Sequence, residues 1–223
     1  MRDVEPDGIT FNQFLLQAEQ PLLFHCGQRW LFDDVTHAAA RVMPIERLRW
    51  VTFGHVEADE CGSMNLWLTA APDAAVAAGE VACEVSLDDW SVRTPVRWGD
   101  GEKVDLGGKR VRHIDTPHVP HGLDSRLLFE ERSRTLLCGD LFTHTGEGPP
   151  VRDDDVVERA LASESPYGSI CLTPATAPTI RRMADLEPVT LAIMHGAAYT
   201  GDCREALEAL ADGYERRLQH QMS

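Results

Sequence analysis

The sequence predicts an α/β fold, and three observations carry that reading. Short apolar runs of strand length alternate along the chain with segments whose apolar residues recur at helical spacing. Several of these runs end in a residue of metal-ligand type, as expected when strands of a parallel or mixed sheet deliver chemistry at their carboxyl ends. The chain closes on an amphipathic helix for which Asp202 is the expected N-cap and Glu205 completes a capping box. Ala206, Leu207, Leu210, Ala211 and Tyr214 form its apolar stripe, which reads as core. With 223 residues and 43% apolar composition, residues 1–223 are expected to share one substantial core as a single domain.

Taken in order, residues 21–26 and 30–32 read as paired strands about Gly27, followed by a helix through 35–40. Trp50-Val51-Thr52-Phe53 is the next strand. Residues 63–71, carrying Met64, Leu66, Trp67 and Leu68, read as a helix stopped by Pro72. Strands are expected at 81–85, 111–114, 127–130 and 134–138, with Gly107-Gly108 and Glu131-Arg132-Ser133 as turns. Helices resume at 154–162 and 177–186, and the apolar run 189–194 is a further strand. Residues 146–150 form a surface loop near the site, and Trp67, Trp90 and Trp98 are assigned to the core.

The segment His55-Val56-Glu57-Ala58-Asp59-Glu60 places four potential ligands in six residues, directly after an apolar run. Imidazole and carboxylate on such a loop can converge on one cation, although acidic runs also occur on solvated loops. Distant partners decide between these readings. His121 lies in a Pro- and Gly-flanked loop, Asp140 follows the run Thr135-Leu136-Leu137-Cys138-Gly139, and His195 follows Val189-Thr190-Leu191-Ala192-Ile193-Met194. His118, three residues before His121, reads as hydrogen-bonding support for a ligand. His144 could line a channel to the site. His25, His37, His113 and His220 read as ordinary hydrogen-bonded or exposed histidines.

This order of residues resembles the metallo-β-lactamase superfamily and, within it, the diiron domain of flavodiiron proteins and their stand-alone oxygen-binding relatives. Those domains carry His-x-Glu-x-Asp-His, a single His, a bridging Asp and a final His-Gly. The matching residues here are His55, Glu57, Asp59, His121, Asp140 and His195-Gly196. Phe11-Asn12-Gln13-Phe14-Leu15 and Asp105-Leu106-Gly107-Gly108 extend the resemblance over most of the chain. It implies a four-layer αββα sandwich holding two metal ions. Glu57 stands where hydrolytic members carry histidine, and a carboxylate there suits iron or manganese better than zinc. One position departs from the pattern, Glu60 replacing the second histidine of the first motif. The second metal is then expected on Asp59, Asp140, His195 and either Glu60 or no residue at that position.

The resemblance implies a diiron protein that binds or reduces oxygen, or a related diatomic or peroxide ligand. A zinc- or manganese-dependent hydrolase of an ester, thioester or lactone is the alternative reading, and a non-catalytic oxygen sensor is a third. Flavodiiron enzymes carry a flavin-binding (FMN) domain after the diiron domain, and the chain ends at Ser223 with no room for one. Electrons are therefore expected from a separate redox partner. The net charge of −15 argues against nucleic acid and anionic membrane surfaces as partners. The acidic start lacks the features of an export signal, no apolar stretch is long enough to span a bilayer, and a cytoplasmic location is expected. The six cysteines show no Cys-x-x-Cys pair and read as reduced and mostly buried, with Cys61 and Cys138 closest to the site.

Overall fold

The computed structural model describes residues 8–146 and 148–223, leaving aside the side chains of 165–167. The first seven residues, whose acidic character entered the localisation argument, and Glu147 of the 146–150 loop lie outside the described residues. A five-stranded sheet contains, in spatial order, β1 (Phe14–Leu16), β2 (Leu22–Phe24), β3 (Trp50–Thr52), β4 (Ala75–Ala78) and β5 (Val96–Arg97). β1 is antiparallel to β2, and β2 to β5 run parallel. The seven-stranded sheet is built from β6 (Lys103–Asp105), β7 (Arg110–Asp115), β8 (Arg126–Glu130), β9 (Thr135–Leu137), β10 (Val151–Arg152), β11 (Thr190–Ala192) and β12 (Ala198–Tyr199). Its spatial order is β10-β12-β11-β9-β8-β7-β6, with β9 and β11 parallel.

Period-two alternation along the strands creates the layers, because successive side chains point to opposite faces. Leu22 and Phe24 enter the core between the sheets with Leu128, Leu137 and Ala192. Leu23, Val51, Val76 and Ala78 face the other way and pack with Ala39, Trp67 and Leu68. These last three lie on α1 (Phe32–Ala40) and α3 (Met64–Ala70). On the second sheet, Leu127, Phe129, Leu136, Cys138, Leu191 and Ile193 point away from the first. They meet Val156 and Ala160 of the helix Val156–Tyr167, Ile180 and Met183 of the helix Thr176–Ala184, and Leu207 and Leu210 of the helix Cys203–Met222. Three cores between four layers make the αββα metallo-β-lactamase-like sandwich. No helix among the described residues is long and apolar enough to cross a membrane.

Most expected elements stand where the pattern placed them. The Asp202 carboxylate accepts the Glu205 backbone N–H at 2.8 Å, as a capping box requires. Residues 81–85 are not a strand: Glu80–Ala82 leads through a π-helical stretch, Cys83–Leu87, into Asp88–Trp90. The valines suggested alternation, yet burial falls on Ala82, Cys83 and Leu87 at helical spacing, while Val85 is 64% exposed. The strand of this region is the alanine-rich β4, whose intrinsic preference is overridden by its place between β3 and β5. Residues 29–31 form a 3₁₀ turn leading into α1 rather than a strand. Trp90 is 56% exposed rather than core, whereas Trp67 and Trp98 are buried.

Leu128 sits fully buried between the two sheets. Leu128→Ala is expected to destabilise the fold by about 2–5 kcal/mol, and Asp202→Ala by about 1 kcal/mol. Chemical denaturation of the metal-free protein checks both values, and a reversed order would contradict the layer assignment.

Candidate metal centre

The candidate ligands converge from the carboxyl ends of strands. His55 lies three residues beyond β3, Asp140 three beyond β9 and His195 three beyond β11. His121 comes from the loop joining β7 to β8. Glu57 sits at the N-cap of a one-turn helix, α2 (Ala58–Cys61), on which Asp59 and Glu60 lie. The loops are fastened to each other: Arg126 N–H donates to the Gly54 carbonyl at 2.8 Å, and Val56 N–H to Asp124 Oδ2 at 2.9 Å. Thr116 and Ser125 hydroxyls donate to the Val119 carbonyl at 2.9 and 2.8 Å, which shapes the turn carrying His121.

Two groups of donor atoms result. In the first, His55 Nε2 lies 3.2 Å from His121 Nε2, 3.3 Å from Glu57 Oε1 and 3.7 Å from Asp140 Oδ2. His121 Nε2 lies 3.3 Å from the same Asp140 oxygen and 3.6 Å from Glu57 Oε1. In the second, His195 Nε2 lies 3.1 Å from Asp140 Oδ1 and 3.3 Å from Asp59 Oδ2. Donors bound about 2.0–2.2 Å from one ion are separated from each other by roughly 3.0–3.5 Å, a spacing that His55 keeps with His121 and Glu57, His121 with Asp140, and His195 with Asp59 and Asp140. Asp140 belongs to both, one oxygen to each. Its Oδ1 is buried with no hydrogen-bond partner among the described residues, as a missing cation would leave it.

Hydrogen bonds on the far sides of the imidazoles fix their orientation. His195 Nδ1 meets the Thr10 carbonyl at 2.7 Å, which aims Nε2 at Asp59 and Asp140. Phe11 packs edge-on against the same ring, with centroids 5.3 Å apart. His55 Nδ1 faces the Glu60 carboxylate at 3.3 Å. Glu60 is completely buried and also joins a grouping with His55 and Asp140 whose donor atoms lie within 4.8 Å of one another.

The two supporting histidines differ. His118 is exposed and forms no hydrogen bond or ion pair with a candidate ligand through its side chain among the described residues. His144 is buried, and both its ring nitrogens engage backbone, Nδ1 the Phe142 carbonyl and Nε2 the Ala197 N–H, each at 2.9 Å. Its own N–H donates to the His195 carbonyl, so it braces the turn behind His195. Gly196 is required there: its φ is +123° and an added Cβ would lie 2.3 Å from the His144 ring. Sequence reasoning missed Thr10, Asn12, Asp124 and His25. Only His25 carried a signal, since it ends the run Leu22–Phe24 as the other ligand-type residues end theirs.

Electrostatics agree with the geometry. Burial disfavours a charged His55, but Glu57, Glu60 and Asp140 together outweigh it and push its pKa up to about 11. Burial likewise opposes protonation of His195, and Asp140, Asp59 and the Thr10 carbonyl overcome it, raising the pKa to about 10. Beside His55, the Glu57 carboxyl is held below its ordinary value. Burial drives the thiols of Cys61 and Cys138 upward, the opposite of a reactive thiolate.

A family model described as "ODP family beta lactamase" matches residues 9–167. The chain belongs to this family. It is 26% identical over 97% of its length to a Synechocystis sp. protein named as a diflavin flavoprotein, and spans 36% of that relative. It is 21% identical to the rubredoxin-oxygen oxidoreductase of Megalodesulfovibrio gigas, matching 96% of this chain and 56% of that one. The chain thus covers about a third to a half of these relatives. Among solved structures it is similar to one described as a peroxy diiron species of the chemotaxis sensor ODP, with a TM-score of 0.75 at 21% identity, covering 94% of this chain and 92% of that one. The metal-soaked Flv1 flavodiiron core of Synechocystis sp. gives a TM-score of 0.77 at 24% identity, covering 97% of this chain and 54% of that one.

Metal binding must displace the protons that His55 and His195 hold in the metal-free chain. Because both pKa values are raised, those protons are present throughout the neutral range. Apparent affinity for divalent metal is therefore expected to climb about tenfold per pH unit for each proton displaced. The climb continues above pH 7, where an ordinary imidazole has finished titrating. Chelator-buffered metal titrations at pH 6, 7 and 8 check this, and a plateau above pH 7 would contradict it.

Proposed function

We propose that this chain carries a dinuclear non-haem iron centre that binds dioxygen or a related small ligand. Glu57, His55, His121 and Asp140 hold the first ion; Asp59, His195 and Asp140 hold the second. The observation that carries the reading is Asp140, whose two oxygens lie 3.3 and 3.1 Å from imidazole nitrogens of different groups. Three imidazoles and three carboxylates form a harder donor set than a zinc hydrolase prefers, which supports iron, with manganese or zinc as alternatives. With ferrous ions bound, this donor set would offer the electrons and open coordination positions that dioxygen binding requires.

The protein's own groups tune the pocket. Glu57, Asp59 and Asp140 place negative charge where it stabilises an oxidised centre. The Thr10 carbonyl fixes His195 as a donor through Nε2, and Phe11 covers one side of that ring. Relatives point to two outcomes, an oxygen oxidoreductase and a chemotaxis sensor. For the first, electrons would come from a separate redox partner; the second needs none to turn over.

Protein reconstituted with ferrous ion under anaerobic conditions is expected to hold about two irons per chain and to change its visible spectrum on exposure to air. Asp140→Ala is expected to lose the second iron and weaken the first. Reversible binding without consumption of a supplied reductant selects the sensor, and sustained consumption selects the reductase. A colourless zinc protein that turns over esters, thioesters or lactones would overturn the iron reading in favour of the hydrolase.

A further inference from the structure

We propose that Glu60 is a positioning residue and not a metal ligand: its carboxylate fixes the His55 ring from behind and leaves the second metal with three protein ligands. The inference rests on the metal reading above and concerns the one position where this chain departs from the motif it resembles.

The carboxylate is fully buried and directed at His55 and His25 rather than at His195. Its Oε2 accepts two backbone N–H groups, from Gly54 at 2.5 Å and from His55 at 2.7 Å. Its Oε1 lies 3.3 Å from His55 Nδ1 and 3.3 Å from His25 Nε2. The His55 atom nearest Glu60 is therefore Nδ1, whereas Nε2 faces Glu57, His121 and Asp140. The contact at Oε1 is an ion-pair distance rather than a formed hydrogen bond, and a carboxylate beside Nδ1 favours the proton there and a lone pair at Nε2, the arrangement a metal-bound histidine needs. In the second group, Asp59 and Asp140 each lie within 3.3 Å of His195 Nε2, yet no ion pair within 4.0 Å joins Glu60 to His195.

The surroundings are shaped for this inward turn. An added Cβ on Gly54 would lie 2.9 Å from Glu60 Oε1 and 3.2 Å from the Gly139 Cα, so the glycine makes the room the carboxylate occupies. His25, also fully buried, holds its other ring nitrogen 3.3 Å from the Asn12 carbonyl. The chain His55, Glu60, His25 and Asn12 runs from the first metal position to the segment that supports His195.

The two metal positions are consequently unequal, four protein ligands against three. Glu60→Gln separates the roles. Glutamine can still accept the backbone N–H groups, but its amide N–H would oppose the Nδ1 proton of His55 and drive that proton to Nε2, the ligating atom. Calorimetric titration with Co(II) under anaerobic conditions, supported by the visible spectrum of bound cobalt, reads both sites. Wild type is expected to show one tight and one weaker site, and Asp59→Asn to remove the weaker one. Glu60→Gln is expected to lower the tight-site affinity about 10–100-fold and to leave the weaker site unchanged. Loss of the weaker site alone, or unchanged binding at both, overturns the inference. Should Glu60→Gln fail to fold, long-range ¹H–¹⁵N NMR of wild type loaded with one equivalent of Zn(II) decides: protonated Nδ1 and metal-bound Nε2 on His55 support it, and the reverse overturns it. A wild-type chain that binds no cobalt removes the metal reading itself, a distinct result from either pattern.

Discussion

Carboxylates gathered with imidazoles in a half-buried pocket need positive charge among them, and one end of this sandwich is organised around that requirement. Asp140 is the centre of it. Taking such a group out of water is tolerable only when a cation, a proton or a set of N–H donors stabilises it. In the metal-free chain, protons on His55 and His195 meet the need, which is why burial fails to keep those rings neutral. A cation would meet it equally well. A metal bound there would replace protons without the site having to assemble itself.

That preorganisation comes from the layers. The residue before each ligand-bearing turn is locked in the core: Phe53 precedes Gly54-His55, Cys138 precedes Gly139-Asp140, and Met194 precedes His195, all fully buried. Strand β3 belongs to one sheet and β9 and β11 to the other, so the candidate ligands approach from both halves of the sandwich. Packing between the sheets sets the separation of the donor groups, and a loosened core would be felt as poorer metal geometry before it was felt as unfolding.

Much of this was legible in the sequence, for an identifiable reason. Strand ends with ligand-type residues are local features, and His55, Asp140 and His195 emerge from them, while Glu57 and Asp59 follow His55 on the next turn and His121 lies on a loop. The apolar runs of β8 and β9 likewise marked the sheet. What stayed hidden depends on partners far along the chain. The carbonyls of Thr10 and Asn12 hold rings of His195 and His25, but a backbone acceptor leaves no trace in residue identity. The helical segment at 80–90 was misread because Val81 and Val85 imitate a strand, whereas its burial follows Ala82, Cys83 and Leu87. Strand β4 was missed because alanine carries no β signature and is placed by its neighbours.

The behaviour of Asp59 and Glu60 shows how narrow the margin between two roles can be. Both are carboxylates on one helical turn, adjacent in sequence, and helix geometry rotates successive side chains by about 100°. Asp59 is partly exposed and meets His195; Glu60 is fully buried and meets His25 and His55. Composition alone cannot distinguish them. What separates them is the interior each one faces: a mouth with an imidazole and a shared aspartate on one side, and on the other two backbone N–H groups with space granted by Gly54. A histidine has no oxygen to accept those two N–H bonds, so the glutamate at this position changes what stands behind His55. The different contacts of the two carboxylates then follow from the same inward rotation.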